Sequence, residues 1–270
     1  MIDLHNHILY GLDDGPETLE ESLAMCRLGY RDGIRTIVAT PHTLNGVYRN
    51  SRTAIVTRVR ELNAALAKGG ILFLNSEEAE SPLHDQSAIR NPQSPLRILP
   101  GADVHLGEEI IRHLREDRLM TLGDGHRFIL IELPSQGVPY LAEKVLFQLI
   151  VRGLIPVITH PERNPEIGRK PERYYEMIRM GCLGQVTAMS LTGGFGPGVR
   201  RFAEELFTHR LVHIIASDAH SLEERPPILT PSVRAASKLV GEDEARKMVT
   251  EYPWAVLEGR MPVVPQPIPF

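Results

Sequence analysis

The sequence is poor in cysteine: Cys26 and Cys182 are the two in 270 residues. Two cysteines cannot build a disulfide scaffold or a Cys-rich zinc finger, and they fit a reducing compartment, so the chain is expected in the cytoplasm. Long apolar runs are also missing, and none approaches the length that spans a bilayer. The N-terminus has no basic segment followed by an apolar one, so no secretory leader is expected. Charge of one sign is lacking too. The net charge is −4 and the basic residues are scattered, which excludes the electrostatic footprint of a nucleic-acid binder. The hydrophobic fraction of 42% is ordinary for a globular chain with a sizeable core.

What is present is a rhythm. Strand-length apolar runs recur at 35–42, 96–106, 127–134, 155–163, 183–191 and 211–220, and a first one covers Ile2–Ile8. Amphipathic helical patterns lie between them. In one, Leu19, Leu23, Cys26 and Tyr30 keep i, i+4, i+7 and i+11 spacing. Asp14 or Gly15 is placed to cap that helix, with Pro16 at its first position. Near-continuous apolar strands suit a parallel sheet covered on both faces. Seven βα units predict an α/β fold with a distorted, TIM-like (β/α)7 barrel, and an open doubly wound sheet is the alternative. The whole chain, 1–270, reads as one domain. An acidic, proline-containing surface insertion is expected at about 73–95, on the N-terminal face of the barrel. An extended, proline-punctuated tail covers 261–270.

The polar residues fall where such a fold builds its sites. His5 and His7 end the first strand and, two residues apart, share one face about 7 Å from each other. His42 ends the second strand, Asp103 lies toward the end of the third, Glu132 ends the fourth and His160 the fifth. Asp218 and His220, another i, i+2 pair, end the last. In a barrel these ends converge on one rim. Burying eight imidazoles and carboxylates there without a cation would carry large desolvation and repulsion costs. The pattern therefore points to a polynuclear metal site. Mixed nitrogen and oxygen donors suit Mn²⁺, Fe or Zn²⁺ better than the all-oxygen shells of Ca²⁺ and Mg²⁺.

The ordered motifs HNH (5–7), DDG (13–15), TPH (40–42), ILIELP (129–134), HPERN (160–164) and ASDAH (216–220) resemble the PHP superfamily. LNGVYRN (44–50) and QVTAMSLTGGFG (185–196) narrow the resemblance to the bacterial metal-dependent protein-tyrosine phosphatases of capsule and exopolysaccharide loci. The resemblance implies the PHP fold, a distorted (β/α)7 barrel. It also implies two or three divalent ions, manganese first, with iron or zinc as alternatives. One ion would take His5, His7, Asp103 and Asp218. A second would share Asp103 and add Glu132 and His160, and a third would take Asp14, His42 and His220. Asp13 is the neighbour that competes with Asp14, which could instead simply cap the first helix. Arg163 and Arg225 would correspond to the family's phosphate-contacting arginines. The chain departs from the family in carrying Asp103 where Glu is usual, a bridge one methylene shorter. His105 stands where the family tends to have Arg and is either an auxiliary ligand or a substrate contact.

These residues lead to one functional expectation, a hydrolase that removes phosphate from phosphotyrosine on a protein. The resemblance gives as partner the tail of a bacterial tyrosine kinase of polysaccharide synthesis. The sequence leaves the oligomeric state open. A cysteine-based mechanism is excluded by spacing, since six residues beyond Cys26 is Asp32 and six beyond Cys182 is Ala188, so no C-x5-R loop exists. The alternatives are a histidinol-phosphatase-type small-molecule phosphatase, a PHP phosphodiesterase, or a non-catalytic phosphotyrosine-binding regulator. The glycines of SLTGGFGPG form either an anion-binding nest or a flexible loop.

Overall fold

Side chains alternate along a strand, so every second residue of a barrel strand faces the interior. The computed structural model describes residues 1–68, 95–107, 109–116 and 118–270. Residues 73–94 of the expected insertion lie outside them. The strands are β1 (Ile2–Asn6), β2 (Thr36–Ala39), β3 (His42–Thr43), β4 (Arg97–Pro100), β5 (Asp103–His105), β6 (Phe128–Glu132), β7 (Ile155–Thr159), β8 (Leu183–Thr187) and β9 (Ile214–Ala216). The helices are α1 (Leu19–Asp32), α2 (Arg52–Lys68), α3 (Ile110–Arg115), α4 (Ala142–Val151), α5 (Pro165–Arg169), α6 (Pro171–Arg179), α7 (Ala188–Thr192), α8 (Pro197–Thr208), α9 (Thr230–Val240), α10 (Glu242–Lys247) and α11 (Glu251–Leu257). No helix among the described residues is long and apolar enough to cross a membrane.

The named strands pair in parallel, in the orders β1-β2-β4 and β3-β5-β6-β7-β8-β9. The expected second strand is β2 and β3 interrupted at Thr40–Pro41. The expected third is β4 and β5 interrupted at Gly101–Ala102. Counted this way, seven strands follow one another in chain order. Thr40 N–H donates to Asn6 O (2.8 Å) and Asp103 N–H to Pro41 O (3.2 Å), carrying the pairing across both interruptions. At the far edge Asn6 bridges Ala219 in parallel, and Asp218 N–H donates to His5 O (2.8 Å). The α/β, TIM-like architecture is as expected, and its distortion has a location. β6 pairs with β5 only from Leu130 onward, while the 3-10 turn Leu122–Asp124 packs against β4.

Two apolar layers hold the strands. Leu4, Val38, Leu99, Leu130, Val157 and Ile214 meet inside, and Leu122 with Trp254 and Leu257 close the interior from below. Ile37, Ile98, Ile129, Ile158 and Ile215 face outward into the helices. Each such buried side chain contributes about 1.5–3 kcal/mol.

Three boundaries differ from the sequence reading. α1 starts at Leu19, capped by Thr18 in a capping box with Glu21, rather than at Asp14 or Gly15. The DDG segment is used elsewhere: Asp13 accepts from His7 and His42, and a methyl group at Gly15 would lie 2.2 Å from His7 O. The run 183–191 is a strand only to Thr187, then turns into α7. The run 211–220 keeps Ile214–Ala216 as strand, and Ser217–His220 belong to the rim. The tail beyond Arg260 has no regular element, and Ile268 N–H anchors it to His209 O (2.9 Å).

A buried histidine below the rim makes stability pH-dependent. His213 Nδ1 accepts from Gly184 N–H (2.9 Å), and burial pushes its pKa from 6.5 down to about 4. The unfolded chain therefore takes up a proton at a pH where the fold cannot. The resulting stability is fully present above 6.5 and is lost as pH falls from 6.5 to 4, by up to about 3 kcal/mol. His213→Asn keeps an acceptor and removes the titration. Denaturant midpoints in chelator from pH 7.5 to 4.5 should fall more steeply for wild type than for this variant. Parallel curves would remove His213 from the account.

Candidate metal centre

The inward parity of the strands carries on to their C-terminal ends. Val38 is followed two by two by Thr40 and His42, Leu99 by Gly101 and Asp103, Leu130 by Glu132, and Ala216 by Asp218 and His220. β1 needs a register shift between Asp3 and Asn6 to do the same, turning Leu4 into the interior core and His5 and His7 to the rim. All the expected residues arrive at this rim. His5 Nε2 lies 3.6 Å from Asp103 Oδ2 and 3.4 Å from Asp218 Oδ1. His42 Nδ1 lies 3.4 Å from Asp103 Oδ2 and 3.6 Å from Glu132 Oε2, and its Nε2 lies 3.6 Å from Asp14 Oδ1. His220 Nε2 is 3.5 Å from Asp14 Oδ1, and His160 Nε2 is 3.7 Å from Glu132 Oε1.

Three imidazoles are oriented from behind. His5 Nδ1 faces the acceptor Gln185 Oε1 (2.9 Å), His7 Nδ1 faces Asp13 Oδ2 (2.6 Å) and His220 Nδ1 faces Asp218 O (2.9 Å). Each partner accepts, so each Nδ1 carries the hydrogen and each Nε2 turns a lone pair to the rim. His5 Nε2 and His7 Nε2 then stand 3.1 Å apart, lone pair toward lone pair. That contact is repulsive unless a proton or a metal cation serves both. Buried atoms without a hydrogen-bond partner lie beside it: His42 Nδ1, Asp103 Oδ2 and His220 Nε2. The donor chemistry and the orphaned atoms fit divalent cations.

Among the described residues, donor atoms close enough to share an ion form three overlapping groups: His5, His7 and Asp103; His42, Asp103 and Glu132; and His7, Asp14, His42 and His220. Asp103 belongs to two of them, so the shorter side chain reaches both. His160 and Asp218 belong to none of the three: His160 approaches them through Glu132 and the ring of His5 (5.8 Å between centroids), and Asp218 through His5 and His7. His7 stands in the group expected of Asp14, His42 and His220, its ring stacked on that of His220 at 3.8 Å between centroids.

Protonation follows from burial and charge. Burial, then the neighbouring His220, His42 and His5, hold His7 well below its ordinary range. Burial and Arg163 do the same to His160, so both keep free lone pairs at neutral pH. Burial opposes protonation of His42, but Asp103, Glu132 and Asp14 together raise it to about 9. Asp14 is lowered to about 2, chiefly by the neighbouring His220, whose Nε2 faces its carboxylate.

Asp218 joins the imidazoles to the arginines. Its Oδ1 faces His5 and His7, and its Oδ2 takes both Arg163 and Arg225 at 2.5 Å. Burial would raise its pKa, but Arg163, His5 and Arg225 outweigh that and hold it well below the carboxylate range. Arg225 is tied to the same turn: His220 N–H donates to Arg225 O (2.9 Å), and Arg225 N–H donates to Ser221 Oγ (3.1 Å). A cavity of about 180 Å³ opens beside the rim, lined by Glu132, Leu133, Ser135, His160, Arg163 and Asn164.

Residues 1–75 and 74–258 match the family model described as capsular polysaccharide synthesis, CpsB/CapC. This chain belongs to the CpsB/CapC family. The tyrosine-protein phosphatase YwqE of Bacillus subtilis (strain 168) is 38% identical over 225 residues, 83% of this chain and 79% of that protein. The tyrosine-protein phosphatase CpsB of Streptococcus agalactiae serotype III is 30% identical over 264 residues, 96% of this chain and 99% of that one. The fold matches a chain from the crystal structures of Bacillus subtilis YwqE and Streptococcus pneumoniae CpsB, described as metal-dependent tyrosine phosphatases. The TM-score is 0.87 at 35% identity, with 100% of this chain and 99% of that chain covered.

Four residues of this CpsB/CapC rim escaped sequence reasoning as contributors. Asp13 orients His7 and accepts from His42 N–H (2.9 Å), although the DDG motif marked it only as a rival of Asp14. Gln185 holds His5, and Thr187 Oγ1 donates to Asp218 Oδ2 (3.3 Å). Polar residues at the last two inward positions of an otherwise apolar strand, Gln185 and Thr187 in Leu183-Gly184-Gln185-Val186-Thr187, were the available signal. Phe195 lies under the arginines. His105 Nδ1 faces Glu132 Oε2 at 3.3 Å, alongside the donor groups rather than within them.

Proposed function

We propose that this chain is a metal-dependent protein-tyrosine phosphatase, and that its rim binds two or three divalent ions, manganese first. The observation that carries the reading is the head-on contact of His5 Nε2 and His7 Nε2 among orphaned carboxylate and imidazole atoms, beside two arginines on Asp218. His5, His7, Asp103 and Asp218 would hold one ion, Asp103 and Glu132 with His160 a second, and Asp14, His42 and His220 a third. When bound, such ions supply a water of lowered pKa and positive charge against the non-bridging phosphoryl oxygens. The chain's own residues do the rest. Gln185 and Asp13 fix the tautomers of His5 and His7, keeping Nε2 unprotonated. Arg163 and Arg225 offer forked donors to the phosphate and to the charge that builds on it.

No thiol competes for the role of nucleophile. Burial raises the pKa of Cys26 and pushes that of Cys182 up to about 12, so neither presents a thiolate. The substrate we infer is a phosphotyrosyl protein, in keeping with relatives named tyrosine-protein phosphatases. A tyrosine kinase of capsule synthesis, acting in the cytoplasm, fits the family description.

The test compares kcat/KM for a phosphotyrosyl peptide, histidinol phosphate and a phosphodiester, with Mn²⁺ and with chelator. Metal-dependent phosphate release, fastest by at least about tenfold on the peptide, is expected, a difference of about 1.4 kcal/mol in barrier. Absence of metal-dependent release from all three would sink the catalytic reading. Preference for histidinol phosphate or the diester would move the function to that substrate class.

A further inference from the structure

Hydrogen bonding alone leaves the two rim arginines loosely oriented. Arg163 and Arg225 each place one terminal nitrogen on the same atom, Asp218 Oδ2, and their Nε atoms are buried without a hydrogen-bond partner. A guanidinium held at a single oxygen can swing about that contact. The ring of Phe195 supplies the second one. Arg163 Cζ lies 4.9 Å and Arg225 Cζ 6.0 Å from its centroid, inside or at the range of about 6 Å over which a cation is attracted to an aromatic face.

The loop around Phe195 is folded to present it. Gly193 ends α7 at φ +89 and Gly196 precedes α8 at φ +91, with Gly196 N–H donating to Gly193 O (2.9 Å). A methyl group at Gly194 would fall 2.5 Å from Met189 Cε and 3.2 Å from Met189 Cβ. L-residues rarely take the first two conformations, and a side chain at Gly194 would displace Met189. The glycines of SLTGGFGPG thus turn one aromatic ring back over the rim.

We infer that Phe195 is a positioning residue whose ring holds Arg163 and Arg225 together in the orientation that receives a phosphate group. The inference rests on the reading of these arginines as phosphate contacts. Two like charges converging on one carboxylate oxygen repel each other, and one aromatic ring near both attracts each without consuming the N–H donors that a phosphate needs. The ring acts on binding, so its loss should move KM and phosphate affinity further than kcat.

The experiment uses the full chain loaded with Mn²⁺ and three forms: wild type, Phe195→Leu and Phe195→Tyr. KM and kcat are measured on a phosphotyrosyl peptide, and Kd for inorganic phosphate by calorimetry. Phe195→Leu keeps apolar bulk and should raise both KM and the phosphate Kd about tenfold, with a smaller fall in kcat. Phe195→Tyr should return both to within about twofold of wild type. Wild-type KM and phosphate Kd in Phe195→Leu would overturn the inference. So would a loss that Tyr does not rescue while melting temperature and Mn²⁺ binding stay unchanged, because packing rather than the ring would then be responsible. If wild type releases no phosphate from the peptide, the phosphatase reading fails on its own, and the phosphate Kd values still decide the role of Phe195.

Discussion

Asp218→Asn should lower kcat/KM on a phosphotyrosyl peptide by at least about a thousandfold, a loss of about 4 kcal/mol in transition-state stabilisation. The side chain is 1% exposed and serves two groups at once. Its Oδ1 lies 3.4 Å from His5 Nε2 and 3.5 Å from His7 Nε2, and its Oδ2 takes Arg163, Arg225 and Thr187 Oγ1. Removing the charge removes a candidate metal ligand and the anion that gathers the arginines in the same step. Asn is the informative replacement because Asp218 has φ +51, a left-handed conformation that Asn tolerates well. Volume and backbone are kept, so a circular dichroism spectrum like that of wild type should accompany the loss. Turnover within tenfold of wild type would take Asp218 out of the centre.

Stripping divalent ions with chelator should abolish turnover by a similar factor and lower the melting temperature by roughly 5–10 °C for each ion whose free concentration was about a hundred times its Kd. The physical source is visible at the rim. Without a cation, His5 Nε2 and His7 Nε2 oppose each other at 3.1 Å, and buried Asp103 Oδ2 and His220 Nε2 have no hydrogen-bond partner. Binding an ion to the fold but not to the unfolded chain removes those costs and adds the binding free energy to stability. Restoring Mn²⁺ should recover both properties together. Recovery of the melting temperature without recovery of turnover would place the ions in a structural role.

The fold was legible where local pattern and tertiary role agree. β6 and β7 are continuous apolar runs because both faces are covered, and their ends were marked by Glu132 and His160. The site was legible for the same reason, since strand parity delivers strand-end residues to one rim whatever the loops do. Where the sequence misled, two local signals competed. Pro16 suggested a helix start, but Thr18 and Glu21 satisfy the free N–H groups two residues later. The run 96–106 looked continuous, yet Gly101–Ala102 interrupts it between β4 and β5. The roles of Asp13 and Phe195 depend on partners far along the chain. Asp13 meets His42 across 29 residues, and Phe195 meets arginines from two other loops. No spacing rule within one segment carries that information.

The central claim is that the strand-end histidines and carboxylates form a polynuclear metal centre that performs the hydrolysis. Its most direct test is a crystal structure of the active, Mn²⁺-loaded protein with anomalous scattering recorded at the manganese edge, alongside metal analysis of the same sample. The account predicts two or three anomalous peaks at this rim, with His5, His7, Asp103 and Asp218 around one of them. An active protein with no peak there, or with a single ion outside the reach of Asp103, would contradict it.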